Sequence, residues 1–261
     1  MKKRIYVIAI VAFLAIFAFS AWKLLDISAE YRRGEKEYER LEQYVQIPET
    51  VPATTQSKTE DSTEPAETQP AGKVWPKVDF AALQMINPDV VGWIYIEGTN
   101  VNYPIVQAKD NDYYLYRLIS GEHNSSGSIF LDAGASELCM SRNNSLYGHN
   151  MKNGSMFADI TDYVDQEFYE QHPEALLLTP QGNYKVKIFS CYITDAWDNS
   201  WQIAFNGSEY GQWLNELQRR SYLATDVHPT EADRVLTFST CTYETEDARL
   251  LVHGIIEESE G

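Results

Sequence analysis

Residues Arg234 to Ile255 read RVLTFSTCTYETEDARLLVHGI, and the reading of this stretch decides the fold. Two apolar runs rich in β-branched residues, RVLTFST and RLLVHGII, flank a loop of Tyr, Thr, Glu and Asp. Short runs of that composition, bounded by polar turns, fit strands that are wholly or half buried. Two strands joined by so brief a connection are expected to be neighbours. Cys241 stands where the first run ends and Arg249 where the second begins. Side-by-side strands would bring a thiol and a guanidinium to one end of a sheet.

Working outward, six further runs of the same kind precede this pair: GWIYI, VNYPIV, GSIFLD, NSLYG, EALLLTP and NYKVKIFSCYIT. Clusters of Gly, Asn, Pro and Asp separate them, the pattern of a β-barrel or sandwich. Helical patterns interrupt the strands. DFAALQMINPDVVGW predicts a short helix with Asp79 as its N-cap, ending at Asn87-Pro88. SMFADITDYVDQEFYEQ reads as helical after the fourth run, and SEYGQWLNELQRRSYL lies between the sixth and seventh. In the latter, Tyr210, Trp213, Leu214 and Leu217 fall at helical spacing, which suits core packing better than a ligand site. There is no internal repeat.

The chain of 261 residues accommodates one domain of about 150–200 residues with appendages. Its 17 Tyr, 10 Phe and 6 Trp can fill a substantial core. A formal charge of -17 argues against nucleic acid as a partner, since it offers no basic face to replace phosphate counterions. Cys139, Cys191 and Cys241 lack the CxxC spacing of a zinc site, and the acidic loops lack the ligand spacing of an EF-hand. One disulfide with one free thiol, or three free thiols, both satisfy the count.

At the N-terminus, Lys2, Lys3 and Arg4 precede an uncharged run from Ile5 to Trp22. That length reaches the threshold for a membrane-spanning helix, and the basic residues before it favour a cytoplasmic N-terminus. The competing reading is a cleaved signal peptide, with Ala18 and Ser20 at the cleavage positions; the long apolar run favours an uncleaved anchor. Asp26 to Tyr44 is heavily charged and reads as a solvated helix or stalk, a spacer. Residues 48–72, rich in Thr, Pro, Glu and Ser, read as a disordered tether. The expected organisation is a cytoplasmic tip at 1–4, a signal anchor at 5–25, a stalk and linker at 26–74, and a folded domain at 75–261.

A cysteine enzyme needs a thiolate, a proton donor for the leaving group and a donor for the oxyanion. Cys241 at a strand end meets the first need, although a small buried cysteine is the other reading. Cys191, embedded in KIFSCYI, and Cys139, in a loop without a basic neighbour, look structural. Among five histidines, His149 stands out because it follows the apolar strand and glycine of SLYGHNM. His123 lies in a polar turn, His172 and His228 each precede a proline, and His253 is inside the last strand. Arg249 offers a permanent charge and five donors for an oxyanion; a surface ion pair with Glu244, Glu246 or Asp247 is the alternative.

SLYGHN, TFSTCTYE and ARLLVHGI, in that order, resemble the His, Cys and Arg motifs of the sortases. GWIYIEGTNVNYPIVQ, DNDYYLYR, GSIFLD and the helical insert between the sixth and seventh strands are similar to class B sortases in particular, and the likeness spans residues 76 to 257. It implies a mostly β fold with added helices: an eight-stranded sortase-type β-barrel with an N-terminal helix and a helix between strands 6 and 7. It also implies a membrane-anchored cysteine transpeptidase, with the catalytic domain outside the cell, that needs no metal or other cofactor. Such an enzyme cleaves an LPxTG-like or NPxTN-like sorting signal of a secreted protein through a thioester. It then transfers the acyl part to a cell-wall amine such as the lipid II cross-bridge.

By this likeness Cys241 is the nucleophile, His149 the general acid and base, and Arg249 the oxyanion and substrate stabiliser. Asn111, Leu115 and Ser239 match positions lining the signal groove, with a packing role for Leu115 equally open. Thr242 follows the nucleophile where some class B relatives carry an acidic residue. Two other readings remain. One is a pilin-polymerising sortase, for which the tether shows no lid motif; the other is a non-catalytic, membrane-tethered barrel that binds wall polymers.

Overall fold

The runs of apolar sequence between Val90 and Glu258 form eight strands: β1 (Val90–Tyr95), β2 (Asn102–Val106), β3 (Ile129–Leu131), β4 (Asn143–Tyr147), β5 (Glu174–Leu178), β6 (Asn183–Asp195), β7 (Arg234–Cys241) and β8 (Ala248–Glu258). The computed structural model describes residues 2–48, 75–242 and 247–258. The strands close into a barrel in the order β8-β6-β5-β1-β2-β3-β4-β7, with β7 returning to β8. Neighbours are antiparallel except for two parallel pairs, β2 with β3 and β4 with β7. Trp93, Ile105, Leu146, Leu177, Leu236 and Phe238 are buried in the main core.

Strand β8 is almost continuously buried rather than alternating, and the reason lies outside the barrel. Helix α4 (Glu209–Arg220) lays Tyr210, Trp213, Leu214 and Leu217 on Phe189, Tyr192, Val235, Leu251 and Ile255. Both faces of β8 are therefore covered, and each large apolar side chain so enclosed contributes on the order of 2 kcal/mol. The expected packing role of the α4 aromatic and leucine residues is what the structure shows.

Helix α2 (Phe80–Ile86) starts as its sequence implies, with Asp79 accepting from the Ala82 amide at 2.9 Å. The segment expected to form one helix after β4 is broken. A 3-10 turn covers Asp159–Val164, then α3 covers Gln166–Gln171. Asp165 adopts an extended conformation between them and its carboxylate caps the Glu167 amide, so an internal N-cap divides the helical pattern.

The N-terminal region departs most from its sequence reading. A single helix, α1, runs from Lys2 to Leu41, through both the apolar run and the charged segment. The charged half is not a solvated spacer, since it packs on the barrel with Gly34, Tyr38 and Leu41 buried. Glu30, Gly34, Glu37, Tyr38 and Leu41 recur at three- and four-residue spacing and so share one face. Most of that stripe is polar, which is why no apolar period betrayed it. The packed body therefore includes the second half of α1 and does not begin at residue 75. Beyond it, Val45–Gln46 pairs with Lys77–Val78 in a small antiparallel sheet. The segment read as a tether, residues 48–72, lies outside those described from residue 49 on, and the stretches on either side of the undescribed residues meet side by side. Besides that covalent link, α1 packs directly on the barrel body.

Candidate active site

Two strand pairings gather the reactive side chains at one rim of the barrel. Parallel β4 and β7 are aligned with Tyr147 opposite Ser239. His149 and Cys241 each lie two residues further along, so parallel strands carry them out at the same end. Antiparallel β7 and β8 then set Arg249 directly opposite Cys241. All three are half buried and line one cleft of about 260 Å³ with Asn111, Leu115, Phe130, Tyr147, Gly148, Ser239 and Thr240.

Gly148 makes the turn into His149 possible. A Cβ there would stand 2.5 Å from Ile129 Cδ1 and 2.7 Å from Phe157, so the chain passes where no side chain fits. The imidazole is then held by its Nε2, which donates to the Leu115 carbonyl at 2.7 Å. A carbonyl can only accept, so Nε2 carries the hydrogen and Nδ1 is left as the basic nitrogen. Tyr116 packs on the ring at 5.5 Å between centroids. Burial lowers the His149 pKa below the ordinary histidine value, with the Leu115 carbonyl opposing in part. The resting imidazole is accordingly neutral near pH 7.

The Cys241 carbonyl accepts from Asn150 Nδ2 at 3.1 Å, tying the end of β7 to the residue after His149. Arg249 donates to the Ala248 carbonyl at 3.1 Å. Of the acidic residues weighed as its partners, Glu244 and Glu246 lie outside those described. Cys139 and Cys191 are buried, and burial pushes each thiol up to about 12. All three cysteines are free, so of the two pairings the count allowed, the structure has three thiols. A half-buried thiol, a neutral imidazole and a guanidinium sharing one cleft can together perform acyl transfer.

The residues expected to line a signal groove all reach this cleft, though with different freedom. Leu115 lines it and also packs against the core. Both amide groups of Asn111 are engaged: Nδ2 donates to Asp132 at 3.0 Å and Oδ1 accepts from the Ala133 amide at 2.8 Å. Ser239 is buried, and its hydroxyl accepts from Trp201 Nε1 at 3.1 Å. Trp201, Asp132 and Tyr147 went unmarked in the sequence. Asp132 accepts from Tyr147 at 2.7 Å as well as from Asn111, and so braces one wall. Tyr147 could have been found by its two-residue offset from His149, whereas nothing in the sequence ties Trp201 to Ser239.

A sortase domain model matches residues 94–257, most of the chain, from the last two residues of β1 almost to the end of β8. The chain belongs to the sortase family. This sortase is 32% identical to sortase B of Staphylococcus aureus over 255 residues, covering 97% of this chain and 96% of that protein. It is likewise 32% identical to sortase B of Listeria monocytogenes over 244 residues, covering 92% of each. Among solved structures, sortase B of Bacillus anthracis in complex with AAEK1 superposes with a TM-score of 0.72 at 34% identity, covering 89% of this chain and all of that one. A complex of the S. aureus sortase B with substrate gives 0.66 at 37% identity, covering 69% and 85%. The sortase is thus a class B cysteine transpeptidase, and its eight-stranded barrel with an N-terminal helix is that of its relatives. Membership implies surface-protein substrates bearing sorting signals, and amines as acceptors.

Proposed function

We propose that Cys241, His149 and Arg249 carry the transpeptidation. Cys241 Sγ attacks the scissile carbonyl of a sorting signal while its proton passes to His149 Nδ1. Arg249 holds the carbonyl oxygen as it becomes an oxyanion, which a fixed guanidinium does better than a mobile ammonium. Collapse of the tetrahedral species expels the leaving amine, which takes the proton from His149 and leaves a thioester. The incoming amine then loses a proton to the same nitrogen, and the thiolate departs and is reprotonated. A neutral resting imidazole suits this cycle, because it must first accept a proton. The observation supporting the assignment is the parallel register of β4 and β7 with Arg249 opposite Cys241, which converges three reactive groups on one cleft. Asn111, Leu115 and Ser239 would contact the signal, with Trp201 setting the position of Ser239.

The apolar half of α1 supports a membrane anchor at residues 5–25. Its large side chains, Ile5 through Leu25, are exposed, and basic residues precede them. In this reading the N-terminus is cytoplasmic, the barrel extracellular, and the acceptor a cell-wall amine such as that of lipid II. The donor carries an LPxTG-like or NPxTN-like signal. A soluble piece beginning at Asp26, which keeps the docked half of α1, incubated with quenched five-residue signals and amine acceptors, tests the assignment. Cleavage that an amine diverts from hydrolysis is the expected result. No cleavage, or equal cleavage by Cys241→Ala, would sink it.

A further inference from the structure

The second half of α1 is gripped by the same two loops that build the catalytic cleft. Asn124 Nδ2 donates to the Glu30 carbonyl at 2.9 Å and the Ser125 amide to its carboxylate at 2.8 Å. Ser120 donates to Glu37 through its amide and its hydroxyl, each at 2.7 Å. Tyr38 donates to the Gly127 carbonyl at 2.5 Å, and Gly34 packs closely, since a Cβ there would stand 3.0 Å from Ser126 Oγ and 3.2 Å from Asn124 Oδ1. These partners belong to the β2–β3 connection, which also carries Leu115, whose carbonyl holds His149. On the other side Asn153, four residues past His149, donates to Glu35 at 2.7 Å. Helix and cleft are therefore one packed unit.

Nothing separates that grip from the apolar run. Only Asp26, Ile27, Ser28 and Ala29 lie between Leu25 and Glu30, all within the same helix and with no proline. At 1.5 Å per residue, the first barrel contact falls about 7 Å beyond Leu25, and the buried Leu41 about 24 Å beyond it. Neither glycine nor proline stands in that stretch to serve as a hinge.

We propose that α1 is a rigid standoff that holds the barrel, and with it the Cys241–His149 cleft, at one fixed height above the bilayer surface. At that height the cleft would meet the donor and the lipid-linked amine of the function proposed above where they are held in the bilayer. Substrates diffusing freely above it are served less well. The inference rests on the reading of residues 5–25 as a membrane anchor.

The test uses the full-length chain in phosphatidylglycerol and phosphatidylethanolamine vesicles, with a donor dye on Cys241 and an acceptor dye on the lipid headgroups. The wild type should give one narrow distance distribution. A helix-forming insertion of seven residues after Ser28, about two turns, should shift that distance by about 10 Å and keep it narrow. A Gly/Ser insertion of equal length should broaden it. In unlabelled enzyme the helical insertion should lower turnover of a short-stemmed, lipid-linked amine about tenfold or more, while turnover of a soluble peptide and amine stays unchanged. A broad wild-type distribution overturns the standoff whether or not the inserted variants fold. So does equal use of the lipid-linked amine by a helical insert that still processes soluble substrates. Failure of the wild type to sediment with vesicles is a separate result, which removes the anchor and the standoff with it.

Discussion

Two cross-strand pairs on the β7–β8 ladder hold polar or ionisable side chains in opposite circumstances. At the rim, Cys241 faces Arg249; four rungs inward, Thr237 faces His253. The inner pair is fully buried. Thr237 donates to Asn143 at 2.7 Å, so the contact of 2.9 Å between its hydroxyl and His253 must come from His253 Nδ1–H. The His253 ring lies against Tyr192 and Trp213 under α4. Burial drives its pKa down to about 3, so it stays neutral and is spent on packing. The outer pair sits where strands end and α4 does not reach, which leaves its groups half exposed in a cleft. Position along a ladder, more than residue type, separates side chains spent on packing from side chains left open in a cleft.

The contrast can be broken most severely at its reactive end. His149→Ala should lower kcat/KM for signal cleavage about 10³-fold with little loss of stability, as removal of a general acid and base does. Steady-state kinetics beside a thermal melt would check this. Arg249→Ala should cost about 10²–10³-fold, and Arg249→Lys should recover only part, since charge returns without the fork of donors. Equal rates for the lysine variant and the wild type would show that charge alone suffices.

At the inner pair the effect should appear in stability instead. The folded pKa of His253, about 3, lies below the unfolded value near 6.5, so the unfolded chain binds the extra proton. Its contribution is complete above about pH 6.5 and is lost as pH falls towards 3, by up to about 1.4 kcal/mol per pH unit. Urea titrations across that window should show the slope, and His253→Asn should flatten it while leaving kcat of the folded fraction unchanged. The smallest effect is expected at Trp201→Phe, which frees the Ser239 hydroxyl at a net cost of about 1 kcal/mol. A rise of several-fold in KM with nearly constant kcat would mark Trp201 as a wall of the groove.

Much of this was legible because strand ends announce themselves. The β-branched runs, the short loop after Cys241 and the glycine before His149 each reflect a local rule, and they mark where side chains leave a sheet. Parallel pairing of β4 with β7 obeys no local rule, so the meeting of His149 and Cys241 was expected from family resemblance rather than from pattern. The docking of α1 stayed hidden because its contact stripe is built of Glu30, Gly34, Glu37 and Tyr38, whose partners are backbone and hydroxyl groups. Charged helices are normally solvated, and hydrogen bonds of this kind leave no apolar period to read. Asp165 escaped notice for a related reason: a carboxylate inside a helical pattern serves equally as a surface residue or as a cap.

The assignment of Cys241 as the nucleophile is tested most directly by trapping the acyl-enzyme. The wild type, mixed with a sorting-signal peptide in the absence of amine and quenched in acid, should gain the mass of the acyl fragment, and digestion should locate it on Cys241. Hydroxylamine should remove the adduct, and Cys241→Ala should form none. An adduct on Cys139 or Cys191, or cleavage without any thioester, would contradict the account.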